Sequence, residues 1–249
     1  MMSPGRRRRL YVVAVLLLVA GGGCFVLSRP ATTLQAVNGT VTAYQIPAYV
    51  KLTDFFQRHF QYDVLATRIC GAKPAAVDCT FALLDWTHTS ILLTPEGWPV
   101  VDDHPLHIVI RGHGERDQIA DVFTTLAVYA GVPAFFQFVT DAQKREMLPV
   151  TFVYLDGEWT VFDVAADLAF RDRAGRLASI EQLVDDPALV DGQANVARRD
   201  GLPYSAFISR ERLMPFVVPQ TLRPQLQQPW PRVRYELRRA VGWERQIGR

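Results

Sequence analysis

Six residues with acid, base or donor side chains crowd into one short turn. Arg111, His113, Glu115, Arg116, Asp117 and Gln118 fall within eight positions, and Asp163 lies downstream. Three kinds of chemistry fit such a set. Glu115, Asp117 or Asp163 could pass protons as general acid and base. Arg111, His113 and Arg116 could hold an anionic or hydroxylated ligand, such as a glycan or a peptide carboxylate. Arg116 and Asp163 could form a structural ion pair with bidentate geometry, and carboxylates at a helix start are often simple caps.

His104, His107 and His113 raise the question of a metal. Apolar and other residues alternate from Leu106 to Ile110, which predicts a short strand carrying His107, with His104 in the turn before it. That arrangement lacks the two histidines one helical turn apart that support zinc. No metal and no cofactor are expected. Asp102 and Asp103 read as turn formers, and His59 and His88 as surface or locally hydrogen-bonded histidines.

The element that must position the polar turn follows it directly. Ile119, Ala120, Val122, Phe123, Leu126, Ala127 and Ala130 recur at three- and four-residue steps, so they share one apolar helix face. Glu115 and Asp117 suit the positive end of its dipole. Gly131 stands where a helix stops, and Pro133 cannot continue it.

Before that helix, Leu52 to Phe60 reads as helical, with Leu52, Phe55, Phe56 and Phe60 on one face. Cys79 to Leu92 reads as a second helix packed through Phe81, Leu84 and Trp86. After it come a strand at Phe135 to Val139 and a hairpin, Val150 to Leu155 and Trp159 to Phe162, turning at Asp156-Gly157. Ala178 to Val184 reads as a short helix and Arg232 to Gln246 as a last one, in an otherwise irregular proline-rich region. Helices followed by strands predict an α+β domain with a mostly antiparallel sheet. The divisions expected are residues 1–29, cytoplasmic arginines and anchor; 30–48, a tether with a short strand near Val41; 49–185, the folded domain; and 186–249, an irregular extension with a basic aromatic helix.

Leu10 to Leu27 is an 18-residue run without charge behind Arg6, Arg7, Arg8 and Arg9. It is long enough to span a bilayer, and the arginines keep its first end cytoplasmic. No clear small-residue cleavage site follows, which favours an uncleaved single-pass anchor over a signal peptide. Cys24 after Gly21-Gly22-Gly23 leaves lipidation open. The expected location is therefore a bacterial inner membrane, with the domain periplasmic or extracellular. In that oxidising setting Cys70 and Cys79 can form a disulfide, with Gly71 and Pro74 favouring the turn between them.

Residues 1–29 hold five arginines and no acid. Without them the 27 basic residues fall to 22 against 25 acids, a balance near −3, so no nucleic-acid partner is expected. The tail from Thr221 to Arg249 is locally basic, with seven arginines against Glu236 and Glu244, together with Trp230, Tyr235 and Trp243. It reads either as a solvated helix packing its aromatics on the domain, or as a contact for anionic lipid or an acidic polymer.

The order helix, Gly131-Val132-Pro133-Ala134, strand, and the hairpin Val153-Tyr154-Leu155-Asp156-Gly157-Glu158-Trp159 with Asp163 beyond it resembles the transglutaminase-like core of the papain-like cysteine-peptidase architecture, over roughly Leu52 to Arg173. The resemblance implies a cysteine at the start of the central helix, a histidine on a following strand and an aspartate on the strand after. Those positions fall at Arg116, Leu148 and Asp163. The thiol needs the helix end and an imidazole to ionise it, and the acid orients the imidazole. Here there is no cysteine after Cys79 and no histidine after His113. A guanidinium is no thiolate and a leucine accepts no proton.

The sequence thus points to an inactive member of that family, a non-catalytic binding or accessory module with an envelope-protein or glycan partner, in polysaccharide or cell-wall assembly. The competing reading is an unconventional hydrolase or transferase that works through carboxylates of the polar turn on glycan or peptide. Export has its own test: a periplasmic reporter fused after Arg249 is expected to be active, and an inactive fusion contradicts the anchored topology.

Overall fold

A computed structural model describes residues 13, 21–37, 40–72, 75–144, 146–193 and 202–242. The chain divides into two units, residues 1–57 and 58–249. In the first, residues 21–28 are helical. Most of the Leu10 to Leu27 run lies outside the described residues, and among those described no helix is long and apolar enough to cross a membrane. Residues 30–48, expected as a tether, carry a full antiparallel hairpin instead. β1 (Pro30–Val37) pairs with β2 (Thr40–Pro47) in a register running from Pro30↔Pro47 to Val37↔Thr40. Asn38-Gly39, which joins them, is the dipeptide that most favours a tight hairpin, and β-branched residues flank it.

Helix α1 (Ala48–Cys70) is far longer than the Leu52 to Phe60 segment expected. Its anticipated core face is not its buried face: Leu52, Phe56 and Phe60 are exposed, whereas Tyr62 and Ala66 are buried. Apolar spacing located the helix but not the side that packs. Helix α2 (Ala76–Ser90) follows, and Cys70 and Cys79 form the anticipated disulfide between the two helices, with Cα atoms 4.7 Å apart.

The predicted strand at Leu106 to Ile110 is a helix, α3 (Pro105–Arg111). Pro105 occupies its first turn, where a missing N–H costs nothing, and His104 caps it by accepting from Leu106 N at 3.3 Å. Gly112 ends it in the left-handed conformation, φ 71°. Five alternating residues between two such signals were too few to define a strand: Ile108 is buried while Ile110 is largely exposed. Two-residue strands β3 (Leu92–Leu93) and β4 (His113–Gly114) then pair in parallel.

Helix α4 (Arg116–Tyr129) is the predicted central helix, and every residue from Gln118 to Val128 is buried. It packs on a four-stranded antiparallel sheet in the order β5 (Ala134–Thr140), β6 (Met147–Leu155), β7 (Glu158–Asp163), β8 (Leu168–Ala169). The hairpin turn has Asp156 at φ 51° and Gly157 at φ 91°, the positive pair that a two-residue turn requires.

Both faces of the sheet are covered. Val153, Leu155 and Phe162 join Phe123, Leu126, Leu83 and Tyr62 in one core. Leu148, Val150, Phe152 and Val161 face a second core supplied by Ile180, Leu183, Val190, Phe207, Ile208 and Leu213. Much of the region expected to be an irregular extension is therefore core. It includes α6 (Pro187–Asp191) and α7 (Arg210–Leu213), which pack beside α5 (Ile180–Asp185), the short helix expected at Ala178 to Val184, and α8 (Pro229–Ala240) closes the described chain. The final helix expected at Arg232 to Gln246 starts earlier, and residues 243–249, with Trp243, Arg245 and Arg249, lie outside the described residues.

The disulfide closes a short loop at the junction of two core helices, and Cys79 is buried. Cys70→Ser with Cys79→Ser should lower unfolding stability by about 2–3 kcal/mol, read by urea denaturation. An unchanged midpoint would show that packing alone holds the junction.

Candidate functional site

The start of α4 is held by a polar network, and this decides which side chains remain for a ligand. Gln118 is almost fully buried. Its Nε2 donates to Asp103 Oδ1 at 2.6 Å and to Asp102 O at 3.2 Å, and its Oε1 accepts from Glu115 N at 3.0 Å. Arg111 donates from Nη2 to the same Oε1 at 2.7 Å, from Nη1 to Asp102 O at 2.8 Å and from Nε to His113 O at 2.7 Å. Arg111 and Gln118 therefore tie the Asp102–Asp103 loop to the helix. Gly114 lets them do so, because a Cβ there would stand 3.1 Å from both Gln118 Oε1 and Ile108 Cγ2.

Asp102 also engages His107 Nδ1 in a short contact, and its Oδ1 accepts from His104 N at 2.8 Å. His107 lies on a helix and not on the strand expected, which sets its ring at a tilt to that of His104, with centroids 5.1 Å apart. His113 sets its ring edgewise to Trp98, and its Nδ1 is buried without a hydrogen-bond partner among the described residues.

Arg116 and Asp163 come together at the same helix end. Arg116 Nη1 lies 3.9 Å from Asp163 Oδ2, a single long contact in place of the bidentate pair considered from sequence. Asp163, only 2 % exposed, takes its hydrogen bonds elsewhere: Oδ2 accepts from Tyr204 Oη at 2.9 Å and Oδ1 from Ala166 N at 3.2 Å. Arg116 is 32 % exposed, and among the described residues its guanidinium makes no hydrogen bond. Leu148 is fully buried on β6, within the core beyond the sheet. Close to this helix end is an apolar hollow of about 150 Å³ lined by His88, Ile91, Leu92, Leu93, Ile119 and Ala165.

The sequence reading did not find Tyr204, which is 41 positions from Asp163 and has no local signal. It also missed Asp121, although an acid inside the apolar stretch Ile119 to Phe123 was a visible signal. Asp121 is buried against Arg223 Nη2 at 3.1 Å. Burial pushes its carboxyl up to about 6, opposed by Arg223. Burial also raises the Asp117 carboxyl. The His104 imidazole is lowered to about 4 by burial and by the nearby Arg58.

No family model matches the chain, and no curated protein matches it either. Among solved structures the chain is similar in part to three. One is a provisionally assigned cysteine protease from Cytophaga hutchinsonii, 14% identical over 55% of this chain and 53% of that one, with TM-score 0.37. Another is a provisionally assigned protease from Parabacteroides distasonis, 12% identical over 54% of this chain and 36% of that one, with TM-score 0.36. The third is a TGase, 14% identical over 69% of this chain and 50% of that one, with TM-score 0.33. The chain thus spans about half or less of each.

The two shifted groups work in opposite directions on stability. The folded form holds the Asp121 proton up to a higher pH than the unfolded chain does, so this contribution is full below about pH 4 and lost as pH rises towards 6. His104 is held neutral in the fold, so its contribution is full above about pH 6.5 and lost as pH falls towards 4. Asp121→Asn removes one slope and leaves the other. Its unfolding free energy should climb more steeply than the parent's between pH 4 and 6, by denaturant titration at stepped pH. Superimposable profiles would contradict these assignments.

Proposed function

We propose that this protein is a transglutaminase-like module that binds and does not catalyse, held at the bacterial envelope by the Leu10–Leu27 segment. The observation that carries the proposal is Arg116. At the position where the resemblance calls for a thiol stands a guanidinium, one-third exposed and without a hydrogen bond among the described residues. The aspartate of the implied triad is engaged by Tyr204 and Ala166 N, and the histidine position is a core leucine. Cys70 and Cys79 are closed into a disulfide, so neither offers a thiolate.

What remains is a charged donor at the start of α4 and a small apolar hollow whose lining includes Ile119 of the same helix. Such a pairing suits a ligand with a carboxylate or another anionic oxygen next to an apolar group. Peptide stems and acidic glycans of the envelope have this chemistry, which fits an accessory role in polysaccharide or cell-wall assembly.

The second reading, a hydrolase, is favoured by one observation: burial raises the Asp117 carboxyl, the direction a general acid needs. The two readings separate in one set of measurements. With purified muropeptides and acidic envelope glycans as probes, Arg116→Ala should weaken binding roughly tenfold or more, the loss of a charge-assisted hydrogen bond, while no probe is turned over. Equal binding by parent and variant would overturn the binding role. Turnover abolished by Asp117→Asn would establish the enzyme.

A further inference from the structure

Helix α8 buries none of its residues. Trp230, Val233 and Leu237, with Val241 just past the helix end, recur at three- and four-residue steps and so form one stripe. That stripe points outward: Trp230 is 69 % exposed, Leu237 63 % and Val241 69 %. The half-buried residues are Pro229, Pro231, Tyr235 and Glu236, away from the centre of that stripe. Glu236 there pairs with Arg232 at 2.7 Å and lies 3.8 Å from Arg239. Helical spacing puts Arg234 and Arg238 along one edge of the apolar stripe.

The charge is as segregated as the apolar surface. The helix carries four arginines against one glutamate, while residues 30–249 together are net acidic. It stands on a docked base: the turn Arg223–Gln227 before it is held to α4 through Arg223–Asp121 and through Tyr129 Oη donating to Gln227 O at 2.8 Å. The alternative in which this helix buries Trp230 on the domain therefore does not hold.

We propose that α8 is an interfacial helix that lays the Trp230–Leu237 stripe on an anionic phospholipid bilayer. Low overall hydrophobicity, a sharp apolar stripe, arginine borders and an exposed tryptophan are the features of helices that lie in the headgroup region. Arg234 and Arg238 reach lipid phosphates while Leu237 and Val241 enter the acyl boundary. The Leu10–Leu27 run would keep a bilayer within reach, which multiplies a weak contact through effective concentration. This inference is independent of Arg116 and its ligand.

The test uses the full chain reconstituted in nanodiscs of neutral phosphatidylcholine or of a phosphatidylglycerol-rich mixture. Hydrogen exchange is read over residues 229–240. Exchange should slow about tenfold or more in the anionic discs, and high salt should reverse the change. Leu237→Asp should return the rates to those in neutral discs, as should Arg234→Glu with Arg238→Glu. The replaced side chains are exposed, and unchanged protection of α4 shows that each variant is folded. Equal rates in the two lipids, fast or slow, overturn the proposal. So does protection in detergent that grows with protein concentration, which would assign the stripe to a second copy of the chain.

Discussion

Burial of α4 on all sides is the constraint from which the site follows. From Gln118 to Val128 no residue of the helix reaches water appreciably. A polar group carried into that environment must bring its partner or lose about 1–3 kcal/mol. Gln118 does so by binding the Asp102–Asp103 loop, Arg111 and Glu115 N. Asp121 does so through Arg223, drawn from the far end of the domain. The crowd of charges before the helix is therefore largely the means by which a buried helix end is satisfied. At Arg116, where the helix emerges, the guanidinium makes no hydrogen bond among the described residues.

The same constraint explains the sheet. A strand buried on one face would alternate apolar and polar residues, but β6 is apolar nearly throughout, because α4 covers one face and the C-terminal segments cover the other. Phe207, Ile208 and Leu213 are thus as much a part of the core as Phe123 and Leu126. Tyr204 comes with them and reaches Asp163, so the C-terminal layer also fixes the one acid left of the implied triad.

The central helix, its Gly131-Val132-Pro133 end, the following strand and the Asp156-Gly157 hairpin were legible in the sequence, because each combines a period with a stop signal. So was the disulfide, from its spacing and the oxidising compartment expected for it. The helix at Pro105–Arg111 was misread because five residues satisfy a period of two and a period of 3.6 almost equally well. The C-terminal part of the second core was missed because its helices are four or five residues long and lie among prolines, too short to show a period. The exposed face of α1 was misassigned for a different reason: periodicity identifies an apolar stripe but not what covers it. At the site, Arg116 and Asp163 were named from sequence, whereas Tyr204, Arg223 and the hollow beside Ile119 depend on contacts across tens of residues.

A thiol nucleophile would need ionisation by a helix end and a neighbouring imidazole, but the two domain cysteines are joined to each other, Cys70 at the end of α1 and Cys79 in the first turn of α2. Exposure of the purified, non-reduced protein to a thiol-directed glutamine mimic, followed by peptide mass mapping and a transamidation assay, addresses that directly. The account predicts no adduct at Cys70 or Cys79 and no product. An adduct at either cysteine accompanied by product would contradict it.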